Sequence, residues 1–253
     1  MKLFYEELAA YWPLVSPVEE YAEEAAEVLR LIEQRAPEAR TLLELGSGGG
    51  HMAFHLKGRF AMTLTDLSAE MLEVSKKLNL GCDHFVGDMR ALDLSRSFDV
   101  VFVHDAIDYM TTEADLERVF ATAHRHLNPG GLFVICPDTV KERYAPDVDC
   151  GGSDSLDGRG IRFLEWDSEV GPTGTAGTTH YAFLVRAPDG SVRCLHEAHP
   201  FGVFPQRTWV ELLEKAGFEV EVVEERTSDD RQPRLLFVAR KEPRSEKNPG
   251  PHS

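Results

Sequence analysis

Thr41-Leu42-Leu43-Glu44-Leu45-Gly46-Ser47-Gly48-Gly49-Gly50 is the stretch on which the reading of the chain turns. A short apolar run ends on a carboxylate and breaks into glycines, and a helix-compatible segment follows. That is the pattern of a strand, a tight turn and a helix start. Glycines let the backbone take positive φ and let a ligand come closer than a Cβ would permit. The order E-x-G-x-G-x-G is not the dinucleotide fingerprint G-x-G-x-x-G, because position 51, where the third glycine belongs, is His. Taken alone, the stretch also fits an ordinary glycine-rich strand-to-helix turn.

Working outward, Phe60 to Thr65 reads as a second strand ending at Asp66, with Ser68 placed to cap the next helix. A carboxylate there can accept hydrogen bonds from two vicinal ribose hydroxyls. The competing role, a carboxylate at a helix N-terminus, is weakened because Ser68 already caps. Asp83 to Val86 is a third strand leading into Gly87-Asp88-Met89-Arg90. Phe98 to Val103 is apolar nearly throughout, as expected of a strand buried on both faces, and opens into His104-Asp105-Ala106-Ile107-Asp108-Tyr109. Thr112 caps a helix that stops at Asn128-Pro129-Gly130-Gly131, before a fifth strand from Leu132 to Cys136. Upstream, Ser16-Pro17-Val18-Glu19 reads as a helix start with Ser as N-cap, and Pro37 ends that helix. Before it lies an aromatic-rich segment with Phe4, Tyr5, Tyr11 and Trp12.

This arrangement resembles the class I S-adenosylmethionine-dependent methyltransferases, with Thr41–Gly50 in the place of their motif I. Glu44, Asp66 and Asp88 stand at three successive strand ends in that family's register. The resemblance implies an α/β fold with a doubly wound, mostly parallel seven-stranded sheet. It further implies that Glu44 lies by the methionine part of S-adenosylmethionine and that Gly46, Ser47 and Gly48 pass beneath it. Asp66, followed by Leu67, would take the ribose; Asp88 would meet the adenine amino group, with Met89 on the ring. Tyr11 and Tyr21 have two readings, packing against the sheet edge or reaching the cofactor carboxylate from an N-terminal lid. His104 or Asp105 would border the cofactor. Similar amino-sugar N-methyltransferases keep a polar ring at the position of Tyr109, which makes Tyr109 and Asp105 the expected catalytic residues. A DNA amino-methyltransferase would show D/N-P-P-Y/F where HDAIDY stands, and a cytosine C5 enzyme would show Pro-Cys where Cys136-Pro137 stands. Cys136 reads as a buried strand residue.

From 138 to 158 the composition turns to Gly, Asp, Ser and Pro, which marks a loop, and three alternating runs follow: 161–166, 179–185 and 192–199. The last two are joined as a hairpin through Pro188-Asp189-Gly190. The expected organisation is a cofactor-binding core of 1–137 and 206–240, a β-rich substrate-covering insertion of 138–205, and a disordered tail of 241–253. Within the core, Arg207–Ala216 is the expected helix, with Gly217 as its cap, before two closing strands, 218–223 and 234–239. Cys194, His196 and His199 suggest a metal, but 194 and 196 share one strand face while 199 points away, so no metal is expected. His196, His199 and Glu165 fit better as the roof of a substrate site.

The chain has 253 residues, 42% of them hydrophobic, with a formal net charge of -16. That charge repels a phosphate backbone, so nucleic acid is not an expected partner. Four scattered cysteines without C-x-x-C read as reduced thiols. Glu6 and Glu7 stand where a signal peptide needs apolar residues, and no apolar run approaches membrane-spanning length. The expectation is a cytoplasmic enzyme without membrane contact, a homodimer being left open, that moves a methyl group to an amine or hydroxyl of a small molecule. Two alternatives stand beside it: a nicotinamide-binding oxidoreductase, and a non-enzymatic S-adenosylmethionine-binding protein.

Overall fold

A computed structural model describes residues 3–228 and 232–242. In chain order the helices are α1 (Trp12–Val15), α2 (Ala22–Arg35), α3 (His51–Leu56), α4 (Ala69–Leu78), α5 (Glu113–His126) and α6 (Gln206–Lys215). The strands are β1 (Thr41–Leu45), β2 (Ala61–Asp66), β3 (Asp83–Val86), β4 (Phe98–Val103) and β5 (Leu127–Ile135). They continue as β6 (Val148–Gly151), β7 (Gly160–Asp167), β8 (Ala176–Arg186), β9 (Val192–Gly202), β10 (Phe218–Glu224) and β11 (Leu235–Lys241).

Seven strands form one sheet in the order β10-β11-β5-β4-β1-β2-β3. β1, β2, β3, β4 and β5 run parallel, while β11 is antiparallel to both of its neighbours. Alternate residues of β4 explain why this strand is so apolar. Val101 and Val103 join a core with Phe120, Phe133 and Trp209 on one face. Val100 and Phe102 join a second core with Leu31, Ile32 and Leu56 on the other. The doubly wound sheet expected from the sequence is therefore present, and α4 and α5 start where expected. Ser68 accepts from the amide of Met71, and Thr112 from that of Asp115.

Five local expectations are corrected. Ser16 does not cap: the chain passes through a 3-10 turn at Val18–Tyr21, and the Ser16 hydroxyl pairs with the Tyr21 hydroxyl at 2.8 Å. Asn128–Gly131 does not separate α5 from the fifth strand but lies within β5, absorbed by an irregular register against β4. Residues 148–151, read as loop, form a fourth strand that pairs with β7. Ala216, not Gly217, caps α6, which ends at Lys215, and Gly217 lies just beyond at a φ of 89°. Of the expected tail, β11 takes in Lys241, and 243–253 lie outside the described residues.

A four-stranded antiparallel sheet, β6-β7-β8-β9, rises between β5 and α6. The N-terminal segment packs against it: Phe4 lies on Phe183 with ring centroids 4.9 Å apart, in a cluster with Ile161 and Val185. Glu197 of β9 ties the segment down, accepting from the amides of Leu3 and Phe4 at 2.6 and 3.0 Å.

The turn after β1 tolerates no side chain at Gly46. Its φ is 68°, and a Cβ there would meet the Ala106 Cβ at 2.5 Å and the Met89 Cε at 2.7 Å. Gly46→Ala should lower the unfolding free energy by at least ~1–2 kcal/mol from the left-handed backbone alone. Equilibrium urea unfolding reads this, and an unchanged midpoint and slope would contradict it.

Candidate active site

At the carboxyl ends of β1, β2 and β4, where the chain winds to either side of β1, a cavity of about 890 Å³ opens. Ligands of open α/β sheets bind at such a switch point. The four-stranded sheet and the N-terminal segment cover it, through Phe163, Glu165, Tyr181, His199, Tyr5 and Trp12.

At one end the glycine turn supplies the floor. The amide of Gly48 donates to Asp66 Oδ2 at 2.8 Å, and the amide of Ser68 donates to Asp66 Oδ1 at 2.8 Å. The two strand ends are thereby locked together. Glu44 is only 2% exposed, and its Oε2 has no hydrogen-bond partner, as is also true of Ser47 Oγ. Burial pushes the Glu44 carboxyl up to about 8 and raises Asp66 as well. Buried acceptors of this kind are costly until something donates to them. They face a cradle that only glycine leaves open, which fits an adenosyl ligand bearing an ammonium and ribose hydroxyls. Asp88 is held differently: Arg90 grips its carboxylate with contacts of 2.9 and 2.6 Å and lowers its pKa. Met89, Leu67 and Tyr21 line the same end.

His51, which replaces the third glycine, opens α3 and is buried. Trp12 Nε1 donates to its Nδ1 at 3.2 Å, and burial lowers its pKa to about 4, so the imidazole is neutral. His104 is the opposite case. Burial opposes its charge, but Asp105 at 3.4 Å and Glu24 at 2.9 Å push it up to about 10. Burial alone would raise Asp105 and Glu24; the His104 charge draws both down. Arg234, 8% exposed, completes the group against Glu24, Glu225 and Asp138.

The far end is rich in tyrosines and carboxyls. The Tyr109 hydroxyl is 2.5 Å from that of Tyr5 and 3.1 Å from His199 Nδ1. Tyr181 donates to Glu165 at 3.0 Å, and burial lifts Glu165 to about 7. Burial likewise raises Asp108 and Asp167, and Asp138, more than half exposed, lines the same space.

Glu44, Gly46, Ser47, Gly48, Asp66, Leu67, Asp88, Met89, Tyr21, His104, Asp105 and Tyr109 thus share one cavity. Tyr11 is not among its lining residues. Its hydroxyl donates to the Arg186 carbonyl at 3.3 Å and its ring lies beside the Arg159 guanidinium, so it packs on the inserted sheet instead. His196 is likewise outside: it sits on the exposed face of β9 and pairs with His180 at 3.2 Å, whereas His199 and Glu165 line the cavity. Tyr5 and His51 belong to the site without having been singled out. His51 could have been suspected from its place after the glycines; Tyr5 carries no local signal.

Comparison with known proteins gives the arrangement its family. A family model described as a methyltransferase domain matches residues 42–131. The dTDP-3-amino-3,4,6-trideoxy-alpha-D-glucopyranose N,N-dimethyltransferase of Streptomyces venezuelae is 30% identical over 207 residues, covering 81% of this chain and 86% of its own. This chain belongs to the S-adenosylmethionine-dependent methyltransferases. As a class I methyltransferase it takes S-adenosylmethionine as cofactor, which excludes the nicotinamide alternative. The Streptomyces fradiae dTDP-3-amino-3,6-dideoxy-alpha-D-glucopyranose N,N-dimethyltransferase is 28% identical, covering 80% of this chain and 79% of its own. Among solved structures, a sugar N-methyltransferase from Streptoalloteichus superposes with a TM-score of 0.77 at 26% identity, covering 88% of each chain. An amino pentose methyltransferase from Micromonospora echinaspora, with S-adenosylmethionine bound, gives 0.72 at 26% identity, covering 87% of this chain and 91% of its own. Among the described residues no helix is long and apolar enough to cross a membrane.

The buried Glu44 makes the ligand-free methyltransferase pH-sensitive. Its folded pKa, about 8, lies above the ordinary 4.5, so the unfolded chain binds fewer protons between these values. Its contribution to stability is present below that window and lost as pH rises through it. Glu44→Gln should flatten the decline in thermal midpoint across this range while weakening S-adenosylhomocysteine binding. An unchanged pH dependence would contradict the burial of an unpaired carboxyl.

Proposed function

We propose that this enzyme methylates the amine of an amino sugar. The observation that carries the reading is the lining of the acceptor end, where Asp108, Asp138, Glu165 and Asp167 stand among Tyr5, Tyr109 and Tyr181. An amine reaches the protein as an ammonium ion, which carboxyls on the cavity wall and tyrosine faces attract and orient. A hydroxyl gains nothing from that field, and it needs a stronger base at the moment of attack. The amino-sugar substrates named for the relatives support the same choice.

In this reading Glu44, Ser47, Tyr21 and the glycine turn hold the methionine part of the cofactor, and Asp66 with Leu67 holds the ribose. Met89 lies on the adenine, and Asp88, fixed by Arg90, borders it. When bound, the cofactor supplies an electrophilic methyl carbon on a sulfonium. The chain aligns the nitrogen with that carbon and excludes water, effects that together remove much of the barrier. Tyr109, standing just past β4, orients the acceptor, and Asp105 stabilises positive charge beside it. His104 is already paired with two carboxylates and serves to hold Asp105 ionised.

Calorimetry should show S-adenosylhomocysteine binding, weakened at least about tenfold, or ~1.4 kcal/mol, by Asp66→Ala; equal affinity would contradict the ribose assignment. An amino sugar should accept methyl groups and its hydroxyl counterpart should not. Comparable transfer to both would overturn the amine reading.

A further inference from the structure

The N-terminal segment is fastened at two points that have no common purpose in packing. Ser68, in the turn after β2, donates its hydroxyl to the backbone carbonyl of Tyr5. Glu197, on β9 of the inserted sheet, accepts from Leu3 and Phe4. One strap thus joins the ribose-carboxylate turn to the acceptor roof and sets the Tyr5 side chain at their junction. Tyr5 lines the cavity there, within the field of both Asp66 and Asp105.

From Tyr5 a line of polar atoms runs along the cavity wall to β9. Its hydroxyl is 2.5 Å from that of Tyr109, which is 3.1 Å from His199 Nδ1. His199 is 2% exposed, and its Nε2 stands 3.0 Å from Glu197 Oε2. The direction of donation follows from chemistry. The Glu197 carboxyl already accepts the amides of Leu3 and Phe4 and lies nearest Nε2, so the relay places the imidazole proton on Nε2, facing it. Nδ1 is then bare and accepts from Tyr109, and Tyr109 in turn accepts from Tyr5. The Tyr5 oxygen keeps its remaining lone pairs for the cavity.

We propose that Tyr5 is a catalytic residue that takes the acceptor's proton and passes it through Tyr109 to His199, where Glu197 holds the resulting imidazolium. The proposal rests on the amine reading above. The acceptor N–H bond breaks and an O–H bond forms at Tyr5, while the proton of Tyr5 moves to Tyr109 and that of Tyr109 to His199 Nδ1. The nitrogen keeps its electron pair for the methyl carbon, and nothing is oxidised or reduced. Tyr5 alone would touch the acceptor proton; Tyr109 also orients the acceptor, and His199 and Glu197 act through the chain. Among the described residues, His199 is faced by Tyr5 from the N-terminal segment, Tyr109 from the turn after β4, Tyr181 from β8 and Glu197 from β9. Glu165 lies behind Tyr181.

Nitrogen-15 NMR of the full chain loaded with S-adenosylhomocysteine tests the arrangement without any acceptor. The expected spectrum at about pH 7 shows His199 with Nε2 protonated and Nδ1 bare, and Tyr109→Phe shifts the Nδ1 resonance. A proton on Nδ1 of the neutral ring would overturn the relay. Methyl transfer to thymidine diphosphate-linked 3-amino-3,6-dideoxyglucose tests the chemistry. Tyr5→Phe and His199→Gln should each lower kcat about 100-fold at pH near 7, within the range for lost proton transfer. S-adenosylhomocysteine affinity should be kept, which certifies folding. The loss should shrink as pH rises toward about 10, where more of the acceptor amine is neutral. A loss of the same size at every pH would mark a merely structural role and overturn the proposal. If the parent protein methylates no amine, the function proposed above fails instead, and the nitrogen spectrum still decides the direction of the chain.

Discussion

Carboxyl groups gathered at the carboxyl edge of a parallel sheet are the constraint on which this structure depends. Glu44, Asp66, Asp105, Asp108 and Asp138 are brought toward one hollow, where water cannot solvate them all. Two cations answer most of that charge, His104 from the cavity wall and Arg234 from behind it. His104 stays protonated between Glu24 and Asp105, and Arg234 spans Glu24, Glu225 and Asp138. Removing either partner of such a buried set leaves an uncompensated charge, so the set holds α2, β4 and β11 in fixed relation. What it does not neutralise is the row that faces inward, Glu44 at one end and Glu165 at the other. Those are the groups a positively charged sulfonium and ammonium would satisfy.

The inserted sheet and the N-terminal strap make this edge into a closed reaction space. β7, β8 and β9 present one face, with Glu165, Tyr181 and His199, toward the cavity and leave the opposite face, with His180 and His196, to solvent. Strand periodicity alone separates the two sets. The strap adds what the core lacks, a tyrosine placed between cofactor floor and acceptor roof.

Much of this was legible in the sequence, and the legible parts share a property: their signals are local. Glu44, Asp66 and Asp88 each close an apolar strand before a turn, and the run from Phe98 to Val103 declares a strand covered on both sides. Residues 148–151 hid because a four-residue edge strand, with only Val148 and Cys150 apolar, is too short for its alternation to stand out from the surrounding loop composition. Asn128–Gly131 has the composition of a stop, yet the sheet accommodates it through irregular pairing. Ser16 looks like a cap, but the Tyr21 hydroxyl takes its side chain. Tyr11 and Tyr5 were equivalent aromatic residues by sequence. Which one enters the cavity is set by contacts from Ser68 and Glu197, 63 and more than 190 positions away, and no window on the chain contains them.

The central claim is that one adenosyl ligand satisfies the inward-facing carboxyls and leaves its sulfur under the tyrosine-lined roof. A crystal structure with S-adenosylhomocysteine tests it most directly. The account predicts the ribose hydroxyls on Asp66, the amino-acid part against Glu44, and the sulfur opening toward Tyr5 and Tyr109 beneath β7–β9. A ligand whose sulfur faces away from those two hydroxyls, or that leaves Glu44 and Asp66 without contact, would contradict it.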